Sequence, residues 1–349
     1  MSFKRFDPQD IVISAESITA PVWSNSVIEL STFFTSSAQV AGASGQYYYN
    51  IYQTASDDTT AAVQFSVAYG DIVGSGSLHF NLAVTGASPS KTIYGQYRSL
   101  VLGDEEGNFV FGSETGSHFY AISIDRARYK EKLLPGTLSL TLSGSDDTDN
   151  PNPLLVLTDN SQVATTTNFN DAGRVFDIVS GSLGNVYTGV NATGHSKTSG
   201  SYGFFLPDVG IILLNGKALD SPSSGSNGGI NLGTLRNMNT EGSGSEKLFD
   251  AIKKGATEGG FKLNSEETIS SNFVFVRARN AEFNYSANPS NVTGSGELRH
   301  NVMVNNPQSY ATSVGLYNDN NDLLATAKLS RPLLKDFTKE SLVRIKLDF

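Results

Sequence analysis

A period-two alternation of apolar and polar residues recurs along the chain, and it commits the sequence to β-structure before anything else is read. In Ala62-Val63-Gln64-Phe65-Ser66-Val67-Ala68-Tyr69 it places Val63, Phe65, Val67 and Tyr69 on one face, because successive side chains of a strand point to opposite sides. Leu78, Phe80 and Leu82 resume the period after Gly74-Ser75-Gly76-Ser77. Leu138-Ser139-Leu140-Thr141-Leu142-Ser143 shows it again, as does the terminal Ser341-Leu342-Val343-Arg344-Ile345-Lys346-Leu347-Asp348-Phe349. Residues 47–52, 108–111, 118–124, 154–158, 175–179 and 273–279 are further runs of strand length and composition. Those at 154–158 and 175–179 read as strands of a second sheet. Residues 203–214 read as two extended pieces about a Pro207-Asp208 bend, and 281–285 as extending the 273–279 strand or pairing near it. Residues 311–317 and 323–329 flank Asn318-Asp319-Asn320-Asn321-Asp322, a hairpin signal.

Helical signals are few. Ser243 and Glu246 are spaced as a capping box ahead of the apolar face Leu248, Phe249, Ala251 and Ile252, with Gly255 to close it. A shorter helical turn is expected at 125–131, ended by Pro135-Gly136. The fold class is therefore mainly β: antiparallel β-sandwich-like domains with one or two short helices. Punctuation suggests four regions: an extended N-terminal arm (1–20), a β domain (21–150), an irregular α+β middle domain or insertion (151–265) and a C-terminal β region (266–349). The polar run 145–151 marks the first boundary, and the last region is expected to pack with 21–150.

Composition narrows the function classes. Twenty Phe and fourteen Tyr supply a core, and no Cys is present, which removes disulfides, zinc knuckles, iron–sulfur clusters and thiol catalysis. A net charge of −9 argues against nucleic acid as partner. The longest apolar run, near Gly210-Ile211-Ile212-Leu213-Leu214, falls far short of the roughly 20 residues of a membrane helix. Residues 1–10 lead into no apolar signal region. A chain made in the cytoplasm, without a membrane partner, is the expectation.

No catalytic or metal pattern stands out. His79, His118, His195 and His300 show no ligand spacing and read as packed or surface residues. An EF-hand loop begun at Asp147 would need Gly and Glu where Asn152 and Thr158 stand, so Asp146, Asp147 and Asp149 read as a solvated turn. Asp104, Glu105 and Glu106 read likewise. Nucleophile elbows, P-loops and dinucleotide fingerprints are missing, so neither enzyme nor cofactor is expected. Tyr47, Tyr48, Tyr49 and Tyr52 read as core, with an aromatic patch for sugar or protein as the alternative.

Basic residues gather in two places: Arg126, Arg128, Lys130 and Lys132 beside Tyr129, and Lys328, Arg331, Lys335, Lys339, Arg344 and Lys346 near the C-terminus. A solvated face is the ordinary reading of both. The alternative is an electropositive contact surface for an acidic neighbouring subunit, with Arg126, Arg128, Lys130, Arg344, Lys346 and Phe349 as candidate contact residues.

Several stretches carry a resemblance. They are Phe119-Tyr120-Ala121-Ile122-Ser123-Ile124-Asp125-Arg126-Ala127-Arg128-Tyr129-Lys130-Glu131-Lys132-Leu133-Leu134-Pro135-Gly136, then 203–212, and above all Phe275-Val276-Arg277-Ala278-Arg279-Asn280-Ala281-Glu282-Phe283-Asn284-Tyr285-Ser286-Ala287-Asn288-Pro289 with 314–319 and 323–330. About a fifth of the chain resembles virion structural proteins of T4-like contractile-tailed phages, the marine or cyanophage type. The resemblance implies a tail- or baseplate-associated structural subunit, assembled in the host cytoplasm into the virion. It implies other virion structural proteins as partners and carries no catalytic residues. A homo-oligomer or symmetric ring within the particle is the matching expectation. A receptor- or carbohydrate-binding tail adhesin is the alternative function. The terminal strand 341–349 is expected to complete a partner's sheet.

Overall fold

A computed structural model of the protein describes residues 3–35, 48–76, 88–144, 154–187, 202–222, 228–232 and 243–348. Its contacts divide the chain into two compact units, Ile18–Glu267 and a discontinuous one formed by Met1–Ser17 with Thr268–Phe349. Both are antiparallel β-structures with few short helices, the class that the alternation predicts.

In the Ile18–Glu267 unit one sheet runs, in spatial order, through Glu29–Leu30, Phe261–Lys262, Ser139–Ser143, Leu154–Asp159, Gly173–Ser182, Gly203–Leu206, Ile211–Asn215, His118–Ile124, Val63–Asp71, Tyr48–Tyr52 and Phe34–Thr35. The register aligns Val67, Ile122, Ile212, Phe205 and Phe176 in one row across five strands. All five belong to the main core. Their neighbours Ala68, Ala121 and Leu213 form a row in a second core on the opposite face. The central strands are thus buried on both sides, which is why His118–Ile124 reads as an unbroken apolar run.

Each face carries a long helix, and Ala218 and Leu219 of the short helix Gly216–Asp220 add to the main core. Leu248, Ala251 and Ile252 of Ser243–Gly255 enter the main core. A Cβ on Gly255 would lie 2.1 Å from the Thr141 carbonyl oxygen, so only glycine permits this approach of helix to strand. The side chain of Ser243 lies outside the described residues. Ile93, Tyr94 and Val101 of Pro89–Leu102 cover the other face, together with Phe109 and Phe111.

The sheet curls into a half-barrel, and one aromatic cluster draws its distant strands together. Phe65 and Phe261 stand far apart in strand order, yet their rings are 5.4 Å apart. Trp23 lies 6.0 Å from the first and 4.7 Å from the second. Its indole Nε1–H donates to the Phe261 carbonyl at 2.8 Å. The two ends of the sheet, Glu29–Leu30 and Phe34–Thr35, are separated in sequence only by Ser31, Thr32 and Phe33. A single short segment therefore supplies both edges, which limits the unpaired backbone a sheet exposes.

Several expectations need correcting. Residues 154–158 and 175–179 form no second sheet: Leu157 pairs with Leu140 and the sheet continues through Phe176 to Phe205. For the same reason the ranges 21–150 and 151–265 do not divide here, since cross-strand pairing joins them. Residues 281–285 are no strand. Glu282 N–H donates to Arg279 O, and Phe283 takes φ +55°, a turn geometry that ladder pairing excludes. The 125–131 turn is present as the 3-10 turn Arg126–Arg128. Residues 78–82 and 145–151 lie outside the described residues.

In the discontinuous unit, the 268–278 part of Asn264–Ala278 pairs with Ser341–Asp348, and the same sheet takes in residues 11–17 of Ile11–Pro21. The register with Ser341–Asp348 runs from Ser271↔Asp348 to Ala278↔Ser341. The terminal strand is thus the edge strand of a sheet formed within the chain. The first twenty residues include the strand Ile11–Pro21 rather than forming only an arm. The expected hairpin is present as Ser309–Tyr317 with Leu323–Lys335, its loop held by Asn318 Oδ1, which accepts the N–H groups of Asn320 and Asp322. The core is small: Val274, Leu316 and Ile345 are buried, with half-buried neighbours such as Val276 and Val343.

Two substitutions test this description. Trp23→Ala should lower unfolding free energy by about 3–5 kcal/mol, and Trp23→Phe by about 1–2 kcal/mol through the lost carbonyl bond, as read by urea denaturation. At the Pro207-Asp208 bend, Asp208 accepts from Arg174 Nη2 at 2.6 Å, from Nε at 3.1 Å and from the Arg174 backbone N–H at 2.8 Å. Burial raises the Asp208 pKa, but these Arg174 bonds outweigh it and hold the carboxyl below its ordinary value. A lowered folded pKa stabilises at neutral pH and loses that contribution as pH falls through the carboxylate range. Asp208→Asn should cost about 1–2 kcal/mol at pH 7, a difference that shrinks in urea melts as the pH approaches 3.

Candidate interaction sites

The first basic cluster follows the His118–Ile124 strand. Asp125 caps the Arg126–Arg128 turn by accepting Ala127 N–H at 2.8 Å. The Arg126 guanidinium folds back onto the carbonyls of Tyr129 and Lys130 and lies 4.6 Å from the Tyr129 ring centre. Burial pushes the Tyr129 hydroxyl above its ordinary pKa, and the Arg126 charge opposes that. Arg128 turns the other way and donates to Ser24 Oγ. Lys130 pairs with Glu267 at 2.8 Å, and Lys132 stands 3.6 Å from Glu266. Each cation of this run already has an intramolecular partner, so the run is a set of tethers more than an open positive patch.

The second cluster belongs to the discontinuous unit. Arg344 and Lys346 alternate with the buried Ile345, so both project from the opposite face of Ser341–Asp348. That face also carries Phe273, paired in register with Lys346 and lying 5.5 Å from the Arg344 guanidinium. Leu342, next in the same alternation, is exposed. The result is a strip of cations set on apolar and aromatic groups. Phe349 lies outside the described residues. Lys335 differs from its basic neighbours: it is buried, and its three donors reach Asn284 Oδ1 at 2.7 Å, Asp336 O at 2.9 Å and Asn280 O at 3.1 Å. The Asn280 and Asn284 acceptors come from a turn some fifty residues away in sequence, which no local pattern announces.

Among the described residues, 15 of the 27 exposed large apolar side chains belong to this unit. Ile13 is 71 % exposed, Leu324 68 % and Val302 84 %, with Tyr285, Tyr310 and Phe337 also open. Scattered exposed hydrophobes are ordinary on any surface. Here they outnumber the three buried core residues among the described residues of the unit, a balance that marks contact surfaces.

Among the histidines, His118 is packed, as its strand position suggests. Its Nε2 lies 3.0 Å from Asp220 Oδ2, and Tyr120 OH donates to the other oxygen at 2.9 Å. Ser117 Oγ is 3.3 Å from Nδ1. Serine, imidazole and carboxylate thus stand in the order of a nucleophilic relay, yet the ring is pressed against the Tyr69 ring and the Gly216 backbone. This network fastens the His118–Ile124 strand to the short helix Gly216–Asp220. His300 is exposed, and His79 and His195 lie outside the described residues. Of the tyrosine cluster, Tyr49 is buried in the core and Tyr48 is exposed, while Tyr47 lies outside the described residues. Asp104 closes a turn through Glu106 N–H, and Asp146, Asp147 and Asp149 lie outside the described residues. Among the described residues no group of three or more His, Asp or Glu is placed to hold a metal ion. No helix there is long and apolar enough to cross a membrane.

Comparison with known protein families, with curated proteins and with solved structures finds no match. The assignment of function therefore rests on the residues themselves.

A Cβ added at Gly216 would sit 2.1 Å from His118 Cδ2. Gly216→Ala should lower stability by about 1–3 kcal/mol, measured by thermal melting, and His118→Ala should make part of that cost disappear in the double variant.

Proposed function

We propose that this protein is a structural subunit acting through protein–protein contacts, and that its setting is the tail or baseplate of a contractile-tailed phage. The observation that carries the contact reading is the imbalance of the discontinuous unit: a core of Val274, Leu316 and Ile345 beneath a surface that exposes Ile13, Val302, Leu324 and Leu342. Apolar area of that kind gains free energy when a partner removes it from water, at roughly 25 cal/mol per Å². Charge is divided in the same sense. Of the 25 Lys and Arg and 34 Asp and Glu, this unit holds 11 and 10, while Ile18–Glu267 holds 14 and 24. A near-neutral, apolar unit joined to a strongly acidic one suits a subunit that docks by the first and stays dispersed by the second. The phage setting rests on the sequence resemblance of residues 119–136, 203–212, 275–289, 314–319 and 323–330. Homo-oligomers or a ring built through this surface follow from the same reading, with other virion proteins as further partners. The adhesin alternative loses support from the burial of Tyr49, which leaves Tyr48 as the exposed member of its pair.

Immunogold electron microscopy with antibody against the full chain, on particles released by cells that express it, tests this reading. Label at the tail end is the expected result, and particles without label contradict it. In the same preparations, Leu342→Asp combined with Leu324→Asp should reduce label at least tenfold.

A further inference from the structure

The turn at Arg126–Arg128 brings its last guanidinium to a polar cavity of about 220 Å³, lined by Ser24, Gln53, Thr54, Thr60, Gln64 and Arg128 among others. The donors and acceptors around it define what kind of group is missing. Gln64 is fully buried, and backbone partners fix its amide orientation: Oε1 accepts Ser24 N–H at 2.9 Å, while Nε2 donates to Ala62 O at 2.8 Å. The other Nε2 hydrogen goes to Ser24 Oγ at 2.7 Å. Arg128 can only donate, and its Nη1 gives a hydrogen to the same oxygen. Ser24 Oγ therefore accepts twice, which uses both lone pairs and leaves its own hydrogen to donate. No acceptor for that hydrogen is found among the described residues. Arg128 Nε is also buried and without a partner. No carboxylate among the described residues forms an ion pair with Arg128.

We infer that this cavity is a binding site for a small oxyanion, the carboxylate, sulfate or phosphate group of a ligand. The Ser24 hydroxyl has a hydrogen left to donate, and Arg128 beside it carries a guanidinium charge without a carboxylate partner among the described residues, in a fork that matches the paired oxygens of such groups. The surrounding lining is hydroxyls and amides, of which Thr60 already donates its hydroxyl hydrogen to Asp58 Oδ1 at 2.8 Å. The volume is smaller than the roughly 300–1,000 Å³ that encloses a drug-sized molecule. It admits the free anion or the acidic end of a larger chain. This site lies within Ile18–Glu267 and is independent of the contact surface proposed above.

Trp23, the chain's one tryptophan, adjoins Ser24 and reports on the site. Its emission and the melting temperature of the full chain are followed while sodium sulfate, sodium phosphate or sodium glucuronate replaces sodium chloride at constant ionic strength. A saturable response to at least one of them is expected. Its dissociation constant should rise at least tenfold in Arg128→Gln and stay within twofold in Lys130→Gln, which removes an equal charge two residues away. Should Arg128→Gln fail to fold, Arg128→Lys, which keeps the charge and loses the fork, should weaken the response at least threefold. Saturation by glucuronate alone identifies a carboxylate ligand, and saturation by sulfate or phosphate a tetrahedral one. Absence of saturation with all three overturns the inference, as does a saturable response unchanged in the Arg128 variants.

Discussion

The contact of Trp23 with Phe65 and Phe261 is the interaction on which the larger unit depends. Strands far apart in the order of a sheet meet only if the sheet curls, and curling has to be held against the tendency of a long sheet to stay open. Three aromatic rings with centroids 4.7–6.0 Å apart supply that hold, and the indole hydrogen bond to Phe261 O sets its register. The segment from Trp23 to Thr35 then contributes both edge strands. Once the sheet is curled, the Ser243–Gly255 helix fills the inner face and Pro89–Leu102 the outer one. The strands between them become buried on both sides.

The discontinuous unit is organised differently. Its strands are long and well paired, with eight consecutive partners between Asn264–Ala278 and Ser341–Asp348, but little is packed beneath them. Backbone pairing fixes its shape while its side chains stay largely open. Such a unit suits docking, because the partner finds a preformed surface and little chain entropy is lost on binding. The cations Arg344 and Lys346 over Phe273 add direction to that surface without raising its net charge far above zero.

Much of this was legible in the alternation. The strands at Val63–Asp71, His118–Ile124, Ser139–Ser143 and Ser341–Asp348, the 318–322 hairpin and the Ser243–Gly255 helix lie where the local pattern places them, because period and capping are local signals. The helix Pro89–Leu102 was also within reach. Pro89 at its first turn, Ile93, Tyr97 and Val101 at helical spacing and Gly103 at its end are its marks. Its β-branched residues and Gly95 obscured them. Sheet membership was not legible, since Leu140 with Leu157 and Ile122 with Ile212 are pairings between distant segments. The basic candidates show the same limit. Charge runs locate Arg126, Arg128 and Lys130, but whether a cation is free depends on residues such as Ser24 and Glu267, more than a hundred positions away in sequence.

The central claim is that the discontinuous unit is the contact surface. Hydroxyl-radical footprinting of the full-length protein, free in solution and again within purified particles, tests it most directly. The account predicts strong protection in particles at Ile11–Ile13, Leu323, Leu324 and Leu342, with oxidation of exposed groups in Ile18–Glu267, such as Phe169, little changed. Protection confined to Ile18–Glu267, with those apolar residues still fully reactive in the particle, would contradict it.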